Sequence, residues 1–416
     1  MKLFLIYLVL CTAVFSQNHI DHTKLRSEFA LQKSKEKFKT ELDNKIKSVF
    51  ASPLNRNNEK SWRKVFKEIG LLLYKNEEIY KGLEKAAGYV ISGSEKFKLS
   101  FMETVITLYP SDFDDTADTL FATTKNPTLF AYLVHYYLNK NIEDKNYFVK
   151  LIKKRFHKYE TIPQLKFLLY NLQKDSVKTP PLQELLSHNF MKGETIIYTL
   201  QRKDRRYPGI TIIKSPDGKF VREKNDSIFY VKQLALSVTN LPGYLSQGNT
   251  PEGIFSIVGF YNSPTPSIGP TAAVLTRIPF EVPTKLWYHN SVKTNYWNIA
   301  DYKSLLPETW QNYLPMYEAF YAGKTGRRKI VMHGSVDDLS FYKGLPYYPL
   351  TPSKGCLTTI ELWDEKTGQN IRSDQAKLMN AFFSTKKLTG FLIVVNIDNK
   401  KMPVTIDEIL PYITNY

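Results

Sequence analysis

Two kinds of hydrophobic spacing divide the chain. From about residue 27 to 188 apolar positions recur every three or four residues, and Trp62, Val65, Phe66, Ile69, Leu72 and Leu73 fall on one helical face. Asn126 followed by Pro127 reads as a cap and first-turn proline, opening a helix with Leu129, Phe130, Leu133, Val134 and Tyr137 on its inner side. Pro127-Thr-Leu129 and Pro163-Gln-Leu165 begin similar apolar helices 36 residues apart, one matched pair that hints at stacked helical hairpins.

The stretch from Lys174 to Pro181 breaks this rhythm, a short helix is expected at 182–186, and after Gly193 the period falls to two. That spacing predicts strands over 195–200, 210–213, 227–231, 234–238, 253–258, 272–278, 329–332 and 391–395. Ser215-Pro216-Asp217-Gly218 reads as a hairpin turn, 307–321 as a helical insertion and 373–383 as a helix. The expected fold class is multidomain α and β: an all-α module over 17–190, with a helical repeat as one form it can take, then a mixed β-rich domain over 191–416.

Residues 1–16 pair Lys2 with an apolar run, Leu3 to Leu10, and end in small or branched residues, which predicts an export signal cleaved before Gln17. The run is too short to span a bilayer, and no later stretch has the length of a membrane helix. With only Lys2 ahead of the apolar core, a periplasmic location is preferred over a Gram-positive wall.

The formal net charge is +17, or +16 without Lys2. Such a surface favours polyanions, and for an exported chain these are wall polymers, carboxylate-bearing peptides or anionic headgroups rather than nucleic acid. Lysines on solvated helix faces explain the same charge without a partner. A concave helical surface gripping a protein is the corresponding functional reading of the N-terminal half.

Two cysteines occur, Cys11 and Cys356, so removal of the signal leaves Cys356 with no intramolecular partner. A nucleophilic thiol accounts for it, since the thiolate attacks carbonyls and a neighbouring imidazole can take its proton. His333, delivered by the predicted 329–332 strand, is the candidate base. Gly355 lets backbone approach a substrate, and the N–H groups of Gly355 and Cys356 are candidates for an oxyanion hole.

No metal or organic cofactor is expected, because H-E-x-x-H, paired Cys-x-x-Cys and G-x-S-x-G are all missing from the sequence. Gly323-Lys324-Thr325 has Glu318 where a phosphate loop needs its leading glycine. His135 and His157 lack partners at ligand spacing and read as packing or surface residues.

Three stretches in order, Thr250-Pro251-Glu252-Gly253-Ile254-Phe255, His333-Gly334-Ser335 and Ser353-Lys354-Gly355-Cys356-Leu357, resemble the signatures of the YkuD-type L,D-transpeptidases, T-P-x-G-x-[FY], H-G-[TS] and S-H-G-C-h-[RN]. The resemblance covers about residues 195–400 and leaves the helical half unaddressed. It implies an L,D-transpeptidase-like catalytic domain acting on peptidoglycan stem peptides, with Cys356 carrying the acyl group and D-alanine leaving. Resolution by an amine gives a 3–3 cross-link, and resolution by water, as in an L,D-carboxypeptidase or a hydrolase releasing wall-linked groups, is the alternative.

Carried over by position, His333 is the base, the Gly334 carbonyl orients its ring, Gly355 and Cys356 shape the oxyanion hole, and Ser353 braces the loop. Ser335 and Thr358 are candidates for substrate binding or loop support. Two departures stand out: Lys354 replaces the second histidine of the motif, and Thr358 replaces its Arg or Asn. Lys354 is expected to lower the thiol pKa by its charge or to meet a substrate carboxylate. His289 is a candidate to enter the cleft in place of the missing histidine, with aromatic packing as the plain alternative. These departures also leave a non-catalytic wall-binding or scaffold protein as a reading of another class.

Overall fold

The structure, a computed structural model, describes residues 19–140, 144–173, 178–291 and 294–413. The expected signal at 1–16, with Cys11, lies outside them. Nine α-helices precede the first strand among the described residues: α1 Gln32–Ala51, α2 Glu59–Leu71, α3 Glu77–Val90, α4 Glu95–Leu108, α5 Asp114–Thr123, α6 Pro127–Leu138, α7 Lys145–Arg155, α8 Pro163–Gln173 and α9 Leu182–Leu186. Short polar side chains set several starts: Asn76, Ser94 and Asp144 each accept a backbone N–H of the first turn of α3, α4 and α7. Asn126 does the same for α6 with Pro127 in its first turn, as its sequence predicts.

Ten strands follow among the described residues: β1 Thr195–Arg202, β2 Gly209–Lys214, β3 Val231–Gln233, β4 Gly253–Tyr261, β5 Ala273–Arg277, β6 Met332–His333, β7 Leu357–Thr358, β8 Glu361–Trp363, β9 Asn370–Ser373 and β10 Gly390–Asp398. Eight form a mixed sheet of order β3-β2-β1-β10-β4-β5-β6-β7, and β8 with β9 makes a hairpin. β10 lies inside the sheet, parallel to β1 and antiparallel to β4. Helices α10 Thr284–Trp287, α11 Ile299–Ser304 and α12 Glu318–Lys324 fill the connection between β5 and β6, and α13 Asp374–Ser384 precedes β10.

The strands expected at 227–231 and 234–238 shrink to β3. Beyond it the chain makes single bridges, Leu234 to Thr358 and Ser237 to Ser353, so its backbone serves the loop ahead of Cys356 instead of a regular ladder. Alternation along the sheet splits its core. Ile197, Phe255, Ile257, Leu392 and Val394 face one cluster with α13, whereas Ile196, Tyr198, Ile254, Phe391 and Ile393 join the cluster that continues through α1–α9. The N-terminal segment returns to the end of the chain: Ile20 N–H donates to Asn380 Oδ1 at 2.7 Å and Gln32 N–H to the Glu365 carbonyl at 2.9 Å. No helix among the described residues is long and apolar enough to cross a membrane.

Candidate active site

β6 and β7 pair in parallel with His333 opposite Thr358, and the ladder extends through Leu357 N–H to the Val331 carbonyl at 3.0 Å. Met332 and Leu357 point into the α13 core. His333, Thr358 and, two positions before it, Cys356 therefore share the other face. Strand spacing and rise put the His333 and Cys356 Cα atoms about 8 Å apart on this diagonal, and the thiol has no bond to the imidazole among the described residues.

His333 is buried, and its Nδ1 lies 2.5 Å from the Gly334 carbonyl. A carbonyl only accepts, so Nδ1 carries the proton and Nε2 keeps the lone pair. Burial lowers the pKa of His333, opposed by that bond, and the ring rests neutral. Beneath the turn, a Cβ on Gly334 would collide with the Glu361 carboxylate, which Thr271 and Ser373 each hold through a 2.6 Å bond. Ser335 donates to Asp337 at 2.9 Å, its carbonyl accepts from Trp363 Nε1 at 3.0 Å, and it thereby supports the loop.

Cys356 is half-buried and its Sγ lies 3.4 Å from the carbonyl of Lys329, a residue at φ +60°. The thiol proton is thus directed at Lys329 in this state. Burial raises the Cys356 thiol, against the Val331 N–H and the Arg327 charge that lower it. The loop before it is tied closely: Ser353 Oγ accepts the Gly355 N–H at 3.0 Å and donates to the Cys356 carbonyl at 2.9 Å. Of the two N–H groups expected in an oxyanion hole, that of Gly355 is therefore engaged, while that of Cys356 has no acceptor among the described residues. Thr250 Oγ1 donates to the Gly355 carbonyl at 3.0 Å, which joins the Thr-Pro stretch to the cysteine loop. Thr358 Oγ1 donates to the Thr351 carbonyl at 2.6 Å and is a loop support.

Lys354 and His289 are placed elsewhere. Gly355 takes φ +104°, breaking the alternation that would put Lys354 beside the thiol. Lys354 Nζ reaches the Lys67 carbonyl of α2 at 3.4 Å, near Glu68 and Glu103 of the helical half. Burial, then the Lys67 charge, push it down to about 7. His289 Nε2 lies 2.9 Å from the Gly390 carbonyl and 3.1 Å from Ser256 Oγ, with Phe391 against its ring, so β4 and β10 hold it.

The cation that acts on the thiol is Arg327, which no motif singles out. It is buried, its Nη1 donates to the carbonyls of Gly243 and, at 2.7 Å, Asn249, and its Nη2 donates to Gly248. A Cβ on Gly355 would occupy the place of Nη2, so only glycine lets the cysteine loop lie against this guanidinium. Tyr261 is the other neighbour missed: burial raises it first, and the Cys356 charge adds to that. Among the described residues no group of three or more His, Cys, Asp or Glu is placed to hold a metal ion. No protein-family model, no curated protein and no solved structure matches this chain.

Proposed function

We propose that the chain is a cysteine acyltransferase of L,D-transpeptidase type, acting on peptidoglycan stem peptides through a thioester on Cys356. The observation that carries this reading is that three separate stretches are joined around the loop and strand that carry Cys356. The bond from Thr250 to Gly355 and the pairing of His333 with Thr358 bring them there, with the imidazole neutral and oriented by Gly334. Export to the periplasm and the stem peptide as partner rest on the signal-like N-terminus and the resemblance.

In the proposed reaction, rotation about the Cα–Cβ bond of Cys356 swings the thiol away from the Lys329 carbonyl toward His333, whose Nε2 takes the proton as sulfur bonds to the substrate carbonyl carbon. The carbonyl oxygen takes the electron pair, facing the Cys356 N–H. When that pair returns, the C–N bond breaks and the leaving amine takes the proton from His333. A second amine, deprotonated by the same imidazole, then attacks the thioester and regenerates the thiol. Water in place of the amine gives hydrolysis.

One observation favours the non-catalytic reading instead. The resting thiol is protonated and bonded to Lys329, and the lysine beside it in sequence faces the helices. Incubation of the mature protein with disaccharide-tetrapeptide, followed by mass spectrometry of products and intact protein, separates the readings. Cross-linked dimer with an adduct that disappears in Cys356→Ala is the expected result. Tripeptide alone makes it a carboxypeptidase, and no product or adduct leaves a binding protein.

A further inference from the structure

A cavity of ≈ 630 Å³ lies between α8, the ends of β1 and β10 and the loop carrying Thr250. Its size is that of a small-molecule pocket. Its wall includes Phe167 and Tyr170 of α8 together with Arg205, Thr250, Glu252 and Asn396. Thr250 is shared with the stretches around Cys356, whereas His333, Gly355, Cys356 and Arg327 do not line it.

Arg205 is the unusual member. It is 3% exposed, its Nη2 donates to the Thr250 carbonyl at 3.3 Å, and its Nη1 has no acceptor among the described residues. The nearby carboxylates are turned to other donors. Glu252 accepts from the Asn396 N–H at 2.7 Å and Nδ2 at 2.6 Å, and Glu318 accepts from Tyr244 and Glu252 N–H groups, both at 2.9 Å. Asn396 Oδ1, on the same wall, also lacks a donor. Leaving a guanidinium N–H and an amide oxygen unmet inside a protein is costly, and a ligand that meets both removes the cost.

We propose that this cavity binds a small α-amino or α-hydroxy carboxylate, with its carboxylate on Arg205 and its adjacent donor on Asn396 Oδ1. A planar carboxylate matches the guanidinium fork. Glu252 and Glu318 already share the charge of Arg205, so the site has little room for negative charge, which favours a zwitterion or monoanion over a phosphate. The Phe167 and Tyr170 rings suit a short apolar substituent. The site backs onto the cysteine loop, because Thr250 takes Arg205 on its carbonyl and gives its hydroxyl to Gly355.

Calorimetric titration of the full mature chain carrying Cys356→Ala, with D-alanine, D-lactate and inorganic phosphate as separate probes, tests this. The expected result is saturable binding of D-alanine or D-lactate, weakened at least about tenfold by Arg205→Gln and by Arg205→Lys, which keeps charge but not the fork. Melting without ligand checks that the variants fold, and Arg205→Lys carries the comparison alone if Arg205→Gln does not. No heat up to about 10 mM of either acid, unchanged affinity in the folded variants, or tighter binding of phosphate overturns it. Every titration uses Cys356→Ala, which keeps this result independent of the proposed reaction.

Discussion

A thiol raised by burial needs a cation, and the residue that supplies it here is Arg327, through space, instead of Lys354, through sequence. Replacing Arg327 by Met removes the charge and leaves Gly243, Gly248 and Asn249 without their shared donor. Iodoacetamide alkylation of Cys356 at pH 8 is expected to fall about tenfold, with the profile displaced to higher pH, while Arg327→Lys retains most of the rate. An unmoved profile in a folded Arg327→Met variant removes Arg327 from the account of the thiol. His333 gives the opposite limb. Its pKa is lowered by burial, so Nε2 is free to accept a proton at pH values where an exposed histidine is already charged. The acid limb of acyl-enzyme formation is therefore expected below about pH 6.5, and His333→Ala is expected to cost at least about a hundredfold. A limb at or above that pH, measured by adduct formation on the intact protein, contradicts a buried neutral base.

At the scale of elements, α6 grips the same loop that Arg327 holds. Tyr132 bonds the Ser246 carbonyl at 2.5 Å, and His135 Nε2 lies 2.8 Å from the Tyr244 hydroxyl. Burial pushes His135 down to about 4. Its folded pKa lies below its unfolded one, so the unfolded chain takes up the proton first. The stability present above about pH 6.5 is lost as pH falls toward 4. His135→Asn is expected to flatten this dependence by about 2 kcal/mol between pH 7 and 4.5, allowing for the ring's partial exposure, as read from urea midpoints at both pH values. Equal slopes for wild type and variant sink it. The start of α6 was legible because a cap and a proline are local signals, and β1, β2, β4, β5, β10 and α13 because long apolar runs suffice. The cysteine loop was legible in composition only. Besides the local bonds of Ser353, what holds it comes from positions more than ten residues away: Thr250, Arg327 and the bridges to Leu234 and Ser237. Lys354 was misplaced because proximity in sequence was read as proximity in space, and the positive φ of Gly355 separates the two.

For the whole molecule the change of period near residue 190 marks a change of architecture, yet the packing does not stop there. Ile196, Tyr198, Leu200, Ile212, Ile254, Phe391 and Ile393 belong to the same hydrophobic cluster as the interior of α1–α9. Tyr198 donates its hydroxyl to the Leu185 carbonyl at 2.6 Å, and Lys166 of α8 reaches Tyr321 of α12 at 2.9 Å. A sheet that needs both faces covered loses part of one when the helices are removed. Residues 191–416 produced alone are therefore expected to expose apolar surface, bind a hydrophobic dye and melt without a cooperative transition, whereas the mature chain melts in one step. The same truncation leaves Lys354 without its α2 acceptor and frees the 244–246 loop from α6, so Cys356 reactivity is expected to fall with the fold. A fragment that melts cooperatively within a few degrees of the full chain and alkylates at the same rate makes the helical half an appendage, free to serve a partner instead of the site.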